Sequence, residues 1–443
     1  MSDVSFSALG VPAELVGVLT GGGIIAPFPI QVSTLPDSLA GRDVLGRGKT
    51  GSGKTLAFSI PLVARLSPKG RRRNHPTGLV LAPTRELASQ ITATLQPLAA
   101  ARGLTVTTIF GGVSQHRQVT ALNAGVDIVV ACPGRLEDLM GQRLISLDDV
   151  AITVLDEADH MADLGFLPGV TRILSATPAG GQRLLFSATL DNGVDKLVRR
   201  FLTDPVSHSV DPVDEVPAVM THHVFHLAGA DAKKQVVHQL ASGTGRRILF
   251  MRTKHQARKL ARQLTESGVP SVDLHGNLSQ PARDRNLAAF SSGEARVLVA
   301  TDIAARGVHV DEVELVVHVD PPVEHKAYLH RSGRTARAGS AGDVVTLVLP
   351  EQRRDTQLLL RKAGITVAPS TVGADSPQVQ ALVGEVAAYR APAPQPAPQQ
   401  PSGAPRRRRP AKPAGAVRQH SGQPAAGPQG GGRRRARRPQ PTR

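Results

Sequence analysis

The sequence predicts an α/β protein: two parallel sheets in tandem, each covered by helices, followed by a disordered basic tail. Three observations carry that prediction. Short β-branched runs alternate with longer amphipathic stretches from residue 40 to 350, the pattern of strands joined by crossover helices. The length, 443 residues, exceeds what one core organises and suits two domains plus an extension. Composition then changes abruptly: residues 391–443 hold eleven Arg, one Lys, twelve Pro and no acid, Leu, Ile, Phe or Met. Such a segment buries too little apolar surface to offset the entropy of ordering it.

In chain order, a short strand at 44–45 leads into a glycine-rich stretch and a helix over 56–66. Strands at 79–81, 127–130, 152–155 and 184–186 complete the first set, and 248–251, 297–299, 315–319 and 344–349 form a second. Between them 204–217, rich in Pro, Asp and Val without periodicity, reads as a linker. The domains are accordingly set at 1–207 and 220–370, with a linker at 208–219 and a Pro/Gly/Arg-rich tail at 371–443. Polar clusters follow the strands: Pro83 to Glu86, Cys132 to Arg135, Asp156 to Asp159, Ser187 to Thr189, and Thr301-Asp302. Ligands of open parallel sheets bind beyond the carboxyl ends of strands, so a composite site between the two domains is expected.

Composition narrows the function. Cys132 is the only cysteine, which excludes an internal disulfide or a cysteine-ligated metal and suits a reducing compartment. No apolar run approaches the ~18 residues that span a bilayer, and the opening MSDVSFSALG lacks the pattern of an export signal, so a cytoplasmic chain away from membranes is expected. The net charge of +17, of which +12 falls in 391–443, points to a polyanionic partner. With no Trp, two Tyr and 3% aromatics, a nucleic acid would be gripped by sugar and phosphate rather than stacked and read.

The segment GKTGSGKT, Gly48 to Thr55, fits the phosphate-loop pattern: Gly48, Lys49, Thr50, Gly51, Ser52 and Gly53 wrap a triphosphate, Lys54 meets its outer phosphates and Thr55 ligates Mg²⁺. Asp156 follows an apolar strand, where a carboxylate can hold Mg²⁺, largely through water, and Glu157 beside it can take a proton from the attacking water.

With these motifs the chain resembles the DEAD-box ATP-dependent RNA helicases, of bacterial type, over roughly residues 6–350. The resemblance implies two RecA-like domains, ATP and Mg²⁺ as cofactors, and RNA-stimulated ATP hydrolysis coupled to melting of short duplexes or remodelling of ribonucleoproteins. It implies that Gln31, within Ala26-Pro27-Phe28-Pro29-Ile30-Gln31, pairs with adenine below Phe6, and that Asp159, Ser187 and Thr189 couple hydrolysis to strand separation. It further implies that Arg334 and Arg337 are arginine fingers from the second domain, that His330 links to the acidic motif across the cleft, and that Gly307 and His309 lie at the nucleotide. The RNA face would use Pro83, Thr84, Arg85, Gly111, Gly112, Gly134 and Arg135 in the first domain. In the second it would use Arg252, Thr253, His275, Gly276, Gln280, Arg283, Thr301 and Asp302. Singly, each of these reads equally as a turn or helix cap.

Three positions depart from the family pattern: Cys132 stands for a threonine, Ala336 for a glycine between the fingers, and His309 for an aspartate at the ATP ribose, from which a weakened ATP KM is expected. The expected partners are RNA, as single strand or short duplex, and ribosomal or ribonucleoprotein particles, with the chain acting as a monomer. An ATP-switched RNA clamp and a DNA translocase remain as alternatives.

Overall fold

The computed structural model describes residues 4–48, 51–68, 72–190, 192–209, 220–305, 310, 312–336 and 340–391. The first sheet comprises β1 (Val44–Arg47), β2 (Gly78–Leu81), β3 (Val106–Ile109), β4 (Ile128–Ala131), β5 (Ile152–Asp156), β6 (Gln182–Ser187) and β7 (Val206–Ser209). The second comprises β8 (Met220–His226), β9 (Arg246–Phe250), β10 (Ser271–Leu274), β11 (Val297–Ala300), β12 (Val313–His318), β13 (Gly342–Val348) and β14 (Ser370–Thr371). Each is wholly parallel, in the orders β3-β4-β2-β5-β6-β1-β7 and β10-β11-β9-β12-β13-β8-β14.

The central strands are apolar at consecutive positions because helices cover both faces. Along them, alternate residues enter different cores: Val80, Val130, Val154 and Leu184 on one side of the first sheet, Leu79, Val129, Leu155 and Leu185 on the other. The second sheet repeats this with Leu249, Val299 and Val317 against Ile248, Leu298 and Val316.

Two boundaries differ from expectation. The start of the expected linker forms β7, which pairs with β1 through Val206 and Ser209, while 210–219 lie outside the described residues. The tail expected from 371 begins later. Val372, Val379 and Val383 are buried in the second core, Pro377–Val383 is a helix, and Gly243 forms an antiparallel bridge with Val386. Helically spaced valines draw this segment onto the domain. Residues 392–443, which carry the basic runs, lie outside the described residues.

Candidate functional site

Strands β5, β6 and β1 are neighbours and end at one edge, which brings three separate motifs together. Asp156 closes β5 opposite Phe186, Ser187 closes β6 beside Arg47, and the Gly48 N–H donates to the Ser187 carbonyl (3.2 Å). Beyond β1 the chain turns through Gly51 (φ +92°) and Gly53 (φ +87°), a left-handed region that glycine enters without strain. A Cβ at Gly53 would also lie 2.6 Å from Gln31 Nε2, so the loop is packed against Gln31. Lys54 opens the helix Lys54–Arg65, is buried, and donates from Nζ to the Gly48 carbonyl (2.5 Å), with half-buried Thr55 on the same turn. Ser52 lies under Gly48, and Lys49 and Thr50 fall outside the described residues.

Gln31 is fully buried: its Oε1 accepts from the Phe28 N–H (2.9 Å) and its Nε2 donates to the Gly53 carbonyl (2.9 Å). The side chain expected at the adenine is thus built into the wall of the phosphate loop. Phe6 is 2% exposed and belongs to the core cluster that includes Val11, Leu15 and Leu35, so its ring packs the N-terminal segment. The exposed aromatic beside the loop is Phe28.

The acidic motif divides its labour. Burial pushes the Asp156 carboxyl up to about 7, against the pull of Lys54. Burial would also raise Glu157, but its hydrogen bond to His160 and the charges of His160, Arg334 and Lys54 outweigh that and hold it at about 2. Its Oε2 lies 3.1 Å from His160 Nδ1. Asp159 accepts at Oδ2 from the Thr189 N–H and hydroxyl (both 3.0 Å), while its own N–H donates to Ser187 Oγ (3.2 Å), and that hydroxyl donates to the Thr189 carbonyl (2.8 Å). The three residues expected to couple hydrolysis to movement form one network.

The second lobe reaches this edge through the helix His325–Ser332. The His330 ring lies 6.4 Å from that of His160, Lys326 Nζ lies 3.9 Å from Asp163, and buried Arg334 is close enough to depress Glu157. Ala336 has φ +52°, which explains why a glycine is the family residue there. Arg337, Gly307 and His309 lie outside the described residues.

Gln280 and Arg283, expected to touch RNA, are buried at the lobe boundary: Arg283 Nε donates to Glu86 Oε1 (2.6 Å), Gln280 Nε2 to the same oxygen (3.3 Å), and Arg85 Nη1 to Gln280 Oε1 (3.4 Å). Asp302 is likewise committed, bracketing the buried guanidinium of Arg331 through Nη2 to Oδ2 (2.8 Å) and Nε to Oδ1. His275 is 5% exposed and accepts at Nδ1 from the Asn277 N–H. Thr84 and Thr253 cap helices, accepting from Leu87 and Gln256 N–H groups (3.3 Å each), whereas Cys132 heads the helix Pro133–Gly141 without a cap bond. Gly112 (φ +78°) makes room for Arg85, whose Nη1 would be 1.9 Å from a Cβ there. Pro83, Gly111, Gly134 and Arg135 remain at the ends of β2, β3 and β4, and Arg252, Gly276 and Thr301 at those of β9, β10 and β11. Arg135 keeps a buried Nη1 without a partner among the described residues.

Sequence reasoning missed His160 and Glu86. The signals were present: His160 lies three residues past Glu157 on a helix, within side-chain reach, and Glu86 follows Arg85 in the first turn of Arg85–Ala101.

The chain matches the DEAD/DEAH box helicase family over residues 28–197 and the helicase conserved C-terminal domain over 232–339. It is 41% identical over 373 residues to DEAD-box ATP-dependent RNA helicase 3A, chloroplastic, of Zea mays, covering 82% of this chain and 49% of that one. RNA helicase CrhR of Synechocystis is 38% identical over 352 residues, covering 79% and 71%. The chain thus spans about half the length of the maize relative. Among solved structures, S. cerevisiae Dbp5 bound to RNA and ADP BeF3 is similar at a TM-score of 0.74 and 28% identity, covering 86% of this chain and 100% of that one.

Proposed function

From the chain's membership of the DEAD-box ATP-dependent RNA helicase family, we propose that it is an RNA-stimulated ATPase that locally melts short RNA duplexes or remodels ribonucleoproteins with little base specificity. The observation that carries this is the meeting of lobes at the acidic motif: Glu157 and His160 from the first lobe beside Arg334 and His330 from the second. Gln31 sets the loop that holds ATP, Lys54 meets its outer phosphates, and Glu157, kept ionised, accepts a proton from the attacking water. Arg334 balances the charge developing on the phosphoryl oxygens. Thr55 and Asp156 would hold Mg²⁺, mainly through water, and that ion when bound neutralises phosphate charge; the raised Asp156 carboxyl supports this fit.

RNA bound across both lobes draws them together, and hydrolysis releases them through Asp159, Ser187 and Thr189. The arm at 391–443 tethers RNA by charge, and the protein acts as a monomer on single strands, short duplexes and ribonucleoprotein particles. Full engagement of the arm would give a log–log salt slope of about −8.

The test is ATP turnover with RNA, with DNA and with neither, beside duplex displacement by wild type and Glu157→Gln. Stimulation by RNA and displacement lost in the variant are expected. Preference for DNA would install the translocase reading, and displacement surviving Glu157→Gln would install the ATP-switched clamp.

A further inference from the structure

We propose that His160 is the positioning residue for Glu157, and that His330 of the second lobe sets His160 in turn, so that the base is aligned only when the lobes meet. This rests on the ATPase reading above and names how the base is aimed.

Glu157 sits in the left-handed region (φ 51°, ψ 52°), which a residue other than glycine keeps only where the surroundings over-determine it. Its carboxylate Oε2 lies 3.1 Å from His160 Nδ1, the side chain that holds it. The two side chains are 5% and 14% exposed, so water does not replace the bond. A carboxylate only accepts, so the ring carries a proton at Nδ1 and holds Oε2, leaving Oε1 for the attacking water.

On its far side His160 has no hydrogen bond to fix it: Nε2 is buried and without a partner among the described residues. The ring there meets His330, with centroids 6.4 Å apart and planes inclined at 54°. His330 ends the helix that also delivers Arg334, so the group that seats His160 arrives together with the finger. Sequence order alone would make His160 a bystander of the acidic motif; the geometry makes it the link between Glu157 and the opposite lobe.

The experiment uses the full chain and three variants. An Asn amide occupies the place of Nδ1, a Gln amide that of Nε2, and Leu keeps bulk without a donor. His160→Leu is expected to lower RNA-stimulated kcat on the order of tenfold with ATP KM unchanged. His160→Asn should restore most of it and His160→Gln should not, with all three melting as wild type does. His330→Leu should matter less in the His160→Leu background than in wild type, because both act through one contact. Wild-type kcat in His160→Leu, equal losses in Leu and Asn, or strictly additive losses with His330→Leu would overturn the inference. A wild-type protein that RNA fails to stimulate would instead sink the ATPase reading, so the two failures are separable.

Discussion

At the scale of single residues, the site is made of ionisable groups whose settings follow from burial and neighbours, and Asp156 is the clearest case. Its carboxyl is pushed to about 7 by burial, so the ligand-free protein retains a proton there that the unfolded chain releases near pH 4. The associated stability is complete below about pH 4 and drains away as pH rises to about 7, at no more than about 1.4 kcal/mol per pH unit. Asp156→Asn removes this dependence. Its melting temperature in the absence of nucleotide and metal should gain on wild type steadily between pH 4 and 7, then hold level. Glu157, lowered to about 2, titrates below that window and does not disturb the comparison. Parallel melting curves for the two proteins across this range would contradict the assignment. Cys132 offers a second check. Thr84 and Thr253 cap their helices while Cys132 does not, so Cys132→Thr is expected to raise stability by about 1 kcal/mol in denaturant titrations.

At the scale of elements, what was legible in the sequence was whatever is buried on both sides. The nine strands expected in the two sets all form, because central parallel strands must be continuously apolar. The strands passed over, β3 (VTTI), β7 (VSHS), β8 (MTHHVFH), β10 (SVDL) and β14 (ST), lie at or next to sheet edges and carry Thr, Ser, His or Asp on half-exposed faces. Within the site, local motifs such as Gly48–Thr55 and Asp156–Asp159 were readable because their spacing is their geometry. The fates of Arg283 and Asp302 were not, since a buried partner some two hundred or thirty residues away leaves no local trace. The C-terminal strap was hidden for the same reason. Arg247, 2% exposed, donates from Nη2 to the Val383 carbonyl (2.8 Å) and from Nη1 to that of Leu240 (2.5 Å), riveting the helix Pro377–Val383 to the second domain. Three buried valines at about 1.5–3 kcal/mol each make this segment part of the fold. A chain ending at residue 391 should therefore melt with the full-length protein, whereas one ending at 369 should melt several degrees lower or aggregate. Equal melting of all three chains would return 370–391 to the tail.

At the scale of the whole molecule, the function proposed above depends on an equilibrium between lobes apart and lobes together, and the described contacts between them are chemically specific. The clasp of Arg283 and Gln280 on Glu86 is the most buried of these, with the ion-pair side chains 8% and 6% exposed. Removing one partner of such a pair strands a charge at a cost of about 3–5 kcal/mol, felt only when the lobes meet. A shift of about 2.7 kcal/mol already turns a 99:1 closed population into an even one. Arg283→Met should therefore abolish most RNA stimulation of ATP turnover while leaving the small unstimulated rate and the folding of each lobe intact. Replacing both partners, with Glu86→Leu beside Arg283→Met, removes the stranded charge and should recover much of the stimulated rate, a non-additive result that surface pairs would not give. Fluorescence transfer between dyes on the two lobes provides the direct readout: the single variant should stay open at RNA concentrations that close wild type, and the double variant should close. Because the clasp is dry, closure once formed should be nearly insensitive to salt, in contrast to the RNA capture proposed for the arm, whose affinity should fall steeply with ionic strength. Closure by Arg283→Met at wild-type RNA concentrations would remove the clasp from the mechanism and leave the junction of Glu157, His160, His330 and Arg334 to hold the lobes together.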